Sequence, residues 1–267
     1  MRCIFCKSQS NNSRSVEHII PESLGNTKYV LSKGWVCDSC NNYLSREVEA
    51  PFLNSTYGKS SRFSMQVPSK KGKIPSVTGF HPQSRSKIEF FRNKEGELSV
   101  GVAEGEDESK WVNSILTSQR GSFLIPAPQL PEANYETSRF IAKIALEALA
   151  FRGKDISGWN EEFVDKKELD ELRNYVRIGN PKNIWAVHIR RIYAPEKEFL
   201  DDGIEYQVLH EWDILPIPAE GDLAEYYVVV AIFGVEYTIN TGRSELEGYL
   251  DWLKRNNNES YLYNKSA

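Results

Sequence analysis

The sequence predicts an α+β protein: a small ββα unit at the N-terminus, held together by cysteines, followed by a larger α+β domain with an antiparallel sheet. Two observations carry this prediction. All four cysteines of the 267 residues fall in the pairs Cys3–Cys6 and Cys37–Cys40, around a segment too short to form a core alone. Further along, a long apolar helical stripe at Tyr135–Phe151 precedes three stretches rich in β-branched and aromatic residues.

The N-terminal unit is predicted from short-range patterns. Its elements, in order, are a strand at Val16–Ile20, a return strand at Tyr29–Val36 and a helix at Asn41–Glu49. Pro21 stops the first strand, and we expect the helix to end before Pro51. Asp38 or Ser39 is the candidate cap at the start of the helix.

Charge is distributed unevenly along the chain. The net charge is −4, which alone argues against a nucleic-acid partner, yet residues 1–73 contain eleven Lys and Arg residues against five acidic ones. A basic N-terminal part on an acidic body indicates that one face meets a polyanion. No apolar run is long enough to span a membrane and no signal-peptide pattern is present, so we expect a soluble cytoplasmic protein without a membrane partner.

The two CxxC pairs predict a structural zinc site. Each pair presents two thiolates, and together they complete the tetrahedral ligand set Cys3, Cys6, Cys37 and Cys40. Four unrelated buried thiols would not explain two such pairs in one short segment. A redox dithiol is the other alternative, but a second pair at this distance adds nothing to that chemistry.

Three polar residues lie between or directly beside these pairs: Glu17, His18 and Asn41. A zinc clamp would bring the helix that begins at Asn41 beside the strand that carries His18. A histidine beside an oxygen-ligand metal site can deprotonate water, and the oxygens of Glu17 and Asn41 suit a hard ion such as Mg²⁺. A single histidine in a strand is also commonly structural, so the residues alone leave both alternatives open.

Three motifs carry a resemblance to a known family: CIFC at residues 3–6, EHIIPESLGN at residues 17–26 and CDSCNN at residues 37–42. Their types and order are similar to those of the HNH endonucleases, which have a ββα-metal fold, and especially to the members that carry structural zinc. The resemblance covers residues 1–55, about a fifth of the chain, which we expect to be a zinc-bound nuclease module.

The resemblance implies a metal-dependent endonuclease that hydrolyses DNA phosphodiester bonds and leaves 5′-phosphate and 3′-hydroxyl ends. His18 would be the general base that takes a proton from the attacking water. Glu17 and Asn41 would bind the catalytic divalent ion, Mg²⁺ or Mn²⁺, which stabilises charge on the phosphate and on the leaving oxygen. Restriction or anti-phage defence is the expected setting.

The middle position of the family pattern has no clean match. Gly34, Trp35 and Val36 occupy the place where many members have an asparagine that braces the loop and orients the base. Asn26 and Asn42 are the candidates to replace it, and the sequence does not decide between them.

Basic residues within and after this module predict contacts with a phosphate backbone. The candidates for nucleic-acid binding are Arg46, Lys59, Arg62, Lys70, Lys71 and Lys73. A solvated helix charge is an equal alternative for Arg46, and a solvated strand-and-turn region is the alternative for the others. Residues 56–110 are predicted to be a basic linker with a hairpin at Ile88–Val102 around Asn93–Gly96.

Residues 111–267 are predicted to form the larger α+β domain, which would serve in dimerisation, DNA specificity or sensing. After the apolar helix, its predicted elements are a helix at Lys166–Val176, β-rich stretches at Ile184–Tyr193, Ile204–Ile214 and Tyr226–Ile239, and a closing helix at Ser244–Leu253. His188 and His210 lack the partners of a second active site and are predicted to be structural. The aromatic and β-branched strands are compatible with a homodimer.

Two functions therefore compete. The favoured one is an HNH nuclease, and the alternative is a non-catalytic zinc ribbon that binds nucleic acid, in which Glu17 and His18 are structural. A binding module has no need for an acidic residue, a histidine and Asn41 around its zinc site, so these residues distinguish the two.

Overall fold

The computed structural model describes residues 1–69, 71–93, 96–118, 120–125, 129–179, 183–194, 199–201, 204–206, 210–218 and 224–265. The helices of these ranges are α1 (Asp38–Leu44), α2 (Ala50–Asn54), α3 (Thr56–Ser64), α4 (Glu108–Thr117), α5 (Tyr135–Arg152), α6 (Trp159–Asp165), α7 (Asp170–Ile178) and α8 (Glu247–Arg255). The strands are β1 (Glu17–His18), β2 (Val30–Leu31), β3 (Val77–His81), β4 (Ser86–Arg92), β5 (Leu98–Val102), β6 (Val187–Arg191), β7 (Phe199–Asp201), β8 (Ile204–Tyr206), β9 (His210–Pro218), β10 (Ala224–Ile232) and β11 (Val235–Asn240). These strands pair antiparallel, which confirms the predicted α+β class.

The chain forms two compact units. The first contains residues 1–21, 26–52 and 130–267, and the second contains residues 22–25 and 53–129. The domain boundaries expected at residues 55 and 110 stay a prediction. Within the described ranges, no helix combines the length and the apolar character that crossing a membrane requires.

The first unit is built on a four-stranded sheet in the order β6-β11-β10-β9. Phe233 and Gly234 have φ angles of 52° and 75°, the geometry of a two-residue turn between twisted antiparallel strands. This turn divides Tyr226–Ile239, predicted as one β-rich stretch, into β10 and β11. The side chains of β11, and those of β10 from Tyr227 onward, are buried within the chain itself. Their apolar character is thereby explained without a second copy, and the homodimer stays a prediction.

Helix α5 belongs to the first unit, and most of its side chains are buried. Asn134 caps it, because its Oδ1 accepts a hydrogen bond from the N–H of Thr137 at 3.0 Å. The predicted apolar stripe is present, and Phe140 on it stacks on Phe52 with ring centroids 4.1 Å apart. A polar stripe at i, i+4 spacing is buried as well: Arg139, Lys143 and Glu147.

The N-terminal part of the first unit contains the predicted strand, strand and helix. Strands β1 and β2 pair with Glu17 opposite Leu31 and His18 opposite Val30. Helical turns then continue from α1 into α2 through a π-helical segment at Ser45–Glu49. The helix predicted at Asn41–Glu49 therefore begins three residues earlier than expected and does not end before Pro51.

Pro51 is tolerated inside the helix because another donor replaces its missing N–H. A proline cannot donate to the carbonyl four residues earlier, which here belongs to Glu47. The π-helical segment changes the bonding pattern just before it, with the N–H of Ala50 donating to the carbonyl of Ser45. Nη1 of Arg139 donates to the carbonyl of Glu47 at 3.3 Å. Arg139 of α5 thus supplies the hydrogen-bond donor that Pro51 lacks.

The second unit contains the predicted hairpin, in which β4 and β5 pair with Ile88 opposite Val102. Strand β3 adds to it and makes a three-stranded sheet in the order β3-β4-β5. Helices α3 and α4 were not predicted from the sequence, although Trp111, Val112, Ile115 and Leu116 of α4 recur at helical spacing. The buried core of this unit consists of Phe63, Val77, Ile88 and Phe90.

Candidate active site

The four cysteines come together at one point. Their Sγ atoms all lie within 4.8 Å of one another, and those of Cys6 and Cys37 are 3.6 Å apart. Zn–S bonds of about 2.3 Å place the sulfurs of a tetrahedral site roughly 3.8 Å apart. The hydrogen bond from Cys40 lowers the pKa of Cys3 to about 5, whereas that bond and burial raise the pKa of Cys40. Ionising all four thiols requires a bound cation, and the set fits a structural zinc ion.

Main-chain hydrogen bonds shape the two knuckles that carry these thiols. In the first, the N–H of Lys7 donates to the carbonyl of Cys3 at 2.9 Å, and Lys7 itself has a φ of 62°. In the second, Cys37 caps α1, since its Sγ accepts from the N–H of Cys40 at 3.4 Å. The N–H of Ile4 donates to the carbonyl of Trp35 at 3.0 Å and joins the knuckles directly. The cap is therefore Cys37, and neither Asp38 nor Ser39, the two predicted candidates, takes that position.

Asp38 ties the start of α1 to the chain that leads into β1. Its carboxylate accepts hydrogen bonds from the N–H groups of Arg14 and Ser15 at 3.0 and 3.1 Å, and from the hydroxyl of Ser15 at 2.5 Å. The hydroxyl of Ser15 is the main reason that the pKa of Asp38 is lowered. These bonds fix the residues that lead into β1 relative to helix α1.

Strand β1 places its two residues differently. Glu17 is buried, with 6% of its surface exposed, whereas His18 is half-buried. Asn41 on α1 reaches the same strand, because its Nδ2 donates to the carbonyl of Val16 at 3.1 Å. The structure thus brings Asn41 to the main chain directly before the Glu17–His18 pair, as the sequence predicted for the helix and the strand.

Glu17 takes part in a buried ion cluster that the sequence did not reveal. Nζ of Lys143, a fully buried residue of α5, lies 2.7 Å from Oε1 of Glu17 and 2.7 Å from Oε1 of Glu49. It also lies 3.0 Å from Oε2 of Glu147 and donates to the carbonyl of His18 at 3.2 Å. The sequence carries one signal of this ion cluster, which is the i, i+4 spacing of polar residues along the otherwise apolar helix α5.

Electrostatics in this cluster favour one charged lysine and one neutral glutamic acid. Burial opposes the charge on Lys143, but the carboxylates of Glu147, Glu17 and Glu49 outweigh it and raise the pKa of Lys143. Burial, only partly offset by Lys143, raises the pKa of Glu147 well above its ordinary value. Burial therefore favours the protonated form of Glu147 in the folded chain.

Asn26 closes the loop between β1 and β2. Its side chain is fully buried, and Nδ2 donates to the carbonyls of Ile20 at 2.7 Å and Tyr29 at 3.0 Å. Oδ1 accepts from the N–H groups of Lys28 at 3.0 Å and Tyr29 at 2.9 Å. Asn42, the other candidate for the middle position, is exposed. A loop-bracing role therefore fits Asn26 and does not fit Asn42.

Comparison with known families assigns this part of the chain. Residues 3–56 match the HNH endonuclease family. The matched range contains both cysteine pairs as well as Glu17, His18 and Asn41, so the resemblance seen in the sequence is confirmed. Comparisons with curated proteins and with solved structures give no match. We refer to residues 3–56 as the HNH segment.

The basic residues predicted to bind nucleic acid differ in their exposure. Arg46 on the HNH segment is exposed and pairs with the neighbouring Glu47 at 2.6 Å. In the second compact unit, Lys59, Lys71 and Lys73 are exposed. Arg62 is only 7% exposed there, and burial lowers its pKa, so its guanidinium does not face the surface as a phosphate contact requires. Lys70 lies outside the described residues.

The other two histidines considered in the sequence lie in the sheet of the first unit. His188 is on β6, with its ring 5.5 Å from that of Tyr249. Burial and the nearby Arg190 lower the pKa of His188. His210 begins β9. Among the described residues, no group of three or more His, Cys, Asp or Glu side chains other than the four cysteines is close enough to hold an ion, so neither histidine belongs to such a group there.

Proposed function

We propose that this chain is a divalent-metal-dependent endonuclease that hydrolyses DNA phosphodiester bonds at the HNH segment. The observation that carries the proposal is the hydrogen bond between Asn41 and Val16, which holds the helix of the second cysteine pair against the strand of Glu17 and His18. The match of residues 3–56 to HNH endonucleases supports the same activity. Restriction or anti-phage defence is the setting that we propose for it.

His18 is the proposed general base. His18 is half-buried on β1, so part of the residue is open to a water molecule and a phosphodiester. A neutral imidazole can accept a proton from that water near neutral pH. Helix α1 and strand β2 hold β1 in place, and this fixes the direction of the His18 side chain. Asn26 takes the middle position of the motif in this proposal, because it braces the loop that follows β1.

Glu17 and Asn41 are the proposed ligands of the catalytic ion. Carboxylate and amide oxygens are ligands that Mg²⁺ and Mn²⁺ accept. Nδ2 of Asn41 faces Val16, which leaves Oδ1 as the atom that can ligate a cation. When bound, the ion would supply Lewis-acid stabilisation of the charge on the phosphate and the leaving 3′ oxygen. The residues present fit such an ion.

Phosphate contacts are proposed for the exposed basic residues Arg46, Lys59, Lys71 and Lys73, and for Lys70. Such contacts give affinity that falls with salt and does not depend on base sequence. Arg62 is left out because of its burial.

A non-catalytic zinc ribbon is the second candidate, and one observation favours it. Glu17 is buried and paired with Lys143, as a structural carboxylate would be. Incubation of the zinc-loaded chain with supercoiled plasmid, with Mg²⁺ or Mn²⁺ added or omitted, separates the two functions. The nuclease proposal expects nicked DNA with 5′-phosphate ends only when the ion is added. Binding that slows the plasmid in a gel without any cleavage would favour the ribbon.

A further inference from the structure

Lys143 on α5 is one of the residues that join this helix to the HNH segment, and its contact is buried. Its side chain is fully buried, and it stands 126 residues away from Glu17 in the sequence, outside the range matched by the family. The HNH segment contributes the acidic groups Glu17 and Glu49 to this contact, and the cation that pairs with them comes from α5.

Two hydrogen bonds and two ion pairs surround the ammonium of Lys143. Nζ donates to Oε1 of Glu17 at 2.7 Å and to the carbonyl of His18 at 3.2 Å. It also lies 2.7 Å from Oε1 of Glu49 and 3.0 Å from Oε2 of Glu147. Both hydrogen bonds therefore hold neighbouring residues of β1.

Each of these two bonds fixes a different part of the site. The bond to Oε1 limits the rotation of the Glu17 carboxylate and so sets the direction of its second oxygen. The bond to the carbonyl of His18 fixes the peptide plane that follows the histidine, and with it the direction in which the imidazole leaves the strand. Hydrogen bonds to metal ligands commonly orient them in this way.

We propose that Lys143 is a positioning residue of the HNH site, which orients Glu17 for the divalent ion and His18 for the water. This inference rests on the proposed function. It makes α5 part of the active-site architecture, since a lysine outside the HNH segment determines how well the segment's own ligands are arranged.

The test uses a variant that keeps the net charge of the cluster. Lys143→Met together with Glu49→Gln removes one positive and one negative charge, so the overall attraction for a cation is preserved while both bonds to β1 are lost. Glu49→Gln alone is the first control, because it retains Lys143. The second control is Arg190→Met with Glu236→Gln, which removes another pair with a fully buried glutamate, at 2.6 Å in the sheet of β6 and β11.

Two readouts are measured on zinc-loaded protein: the affinity for Mn²⁺ by calorimetry, and the Mn²⁺ concentration that gives half-maximal plasmid nicking. We expect the Lys143→Met/Glu49→Gln chain to bind Mn²⁺ about 10- to 100-fold more weakly and to need correspondingly more Mn²⁺ for nicking. The Arg190→Met/Glu236→Gln control should keep the native values, and Glu49→Gln alone, which retains both bonds to β1, should lose much less Mn²⁺ affinity than the double variant. A structural role alone would lower the amount of folded protein without moving either constant.

The outcomes separate this inference from the proposed function. If the native chain nicks DNA and the folded double variant binds Mn²⁺ with native affinity, Lys143 is not a positioning residue and the nuclease proposal stands. If the native chain neither binds Mn²⁺ nor nicks DNA, both are overturned. Should the double variant not fold, Lys143→Gln takes its place, because its amide keeps a polar group in the cluster but ends one bond short of Nζ and cannot make both bonds to β1. Loss of the positive charge alone would strengthen the binding of a cation. A fall in Mn²⁺ affinity therefore supports the inference, and native or tighter binding overturns it.

Discussion

Nδ2 of Asn41 donates a hydrogen bond to the carbonyl of Val16 at 3.1 Å, across 25 residues of sequence. This bond joins the first turn of helix α1 to strand β1, which carries Glu17 and His18. It also orients the amide, because the nitrogen faces the strand and the oxygen faces away from it. One side chain can therefore brace the two elements and offer an oxygen to a cation.

Asn41→Ala should lower DNA cleavage by at least about tenfold, since it removes both the brace and the proposed ligand. The rate is measured by plasmid nicking at saturating Mn²⁺. Asn42→Ala is the matched control, because Asn42 is the next residue and is exposed. Equal loss in both variants would mean that Asn41 acts only through the stability of the helix.

Zinc removal should unfold the HNH segment and leave the sheet of β9, β10 and β11 intact. The segment is too small to hold its own core without the metal, so the binding free energy of zinc is also folding free energy. Amide hydrogen exchange before and after treatment with a chelator measures this. Cys40→Ser should give the same pattern without a chelator. Unchanged protection of β1 and α1 after complete loss of zinc would contradict the assignment of these cysteines.

Asn26→Ala should lower the free energy of unfolding by about 2–4 kcal/mol, because it breaks four hydrogen bonds and leaves buried main-chain groups without partners. Denaturant unfolding measures the change, and Asn42→Ala should stay within about 0.5 kcal/mol of the native chain. A small effect of Asn26→Ala would mean that other groups brace the loop between β1 and β2.

Glu147→Gln should change how stability depends on pH. Burial raises the pKa of Glu147 in the folded chain, whereas the unfolded chain loses this proton above about pH 4.3. The contribution of this proton to the free energy of unfolding is complete below about pH 4.3. As the pH rises toward the raised pKa of Glu147, the free energy of unfolding falls by up to about 1.4 kcal/mol per pH unit. Urea unfolding from about pH 5 to pH 8 should show this downward slope in the native chain and a flatter one in the variant. Parallel slopes would show that Glu147 is already ionised in the folded chain.

The features predicted correctly from sequence depend on short spacings. Two residues between the members of each cysteine pair give a knuckle, and the order of the motifs gives the strand, strand and helix of the HNH segment. The hairpin of β4 and β5 and the long helix α5 likewise follow from local periodicity and turn residues.

The features that sequence patterns missed depend on contacts between distant residues. The helix continues through Pro51 because Arg139 donates to the carbonyl of Glu47, and nothing near Pro51 signals that donor. Lys143 appears in the sequence as one polar residue of an apolar helix, and its partner Glu17 is 126 residues away. Arg62 has the charge of a phosphate contact, but the fold buries it.

The most direct test of the nuclease proposal is plasmid nicking by the His18→Ala chain, with zinc content and folding verified. Removing a general base should slow cleavage by about 10²- to 10⁴-fold, while His210→Ala, a histidine at the start of β9, should cut at the native rate. If folded, zinc-loaded His18→Ala cut DNA as fast as the native chain, His18 would not be the base and the proposed mechanism would be wrong.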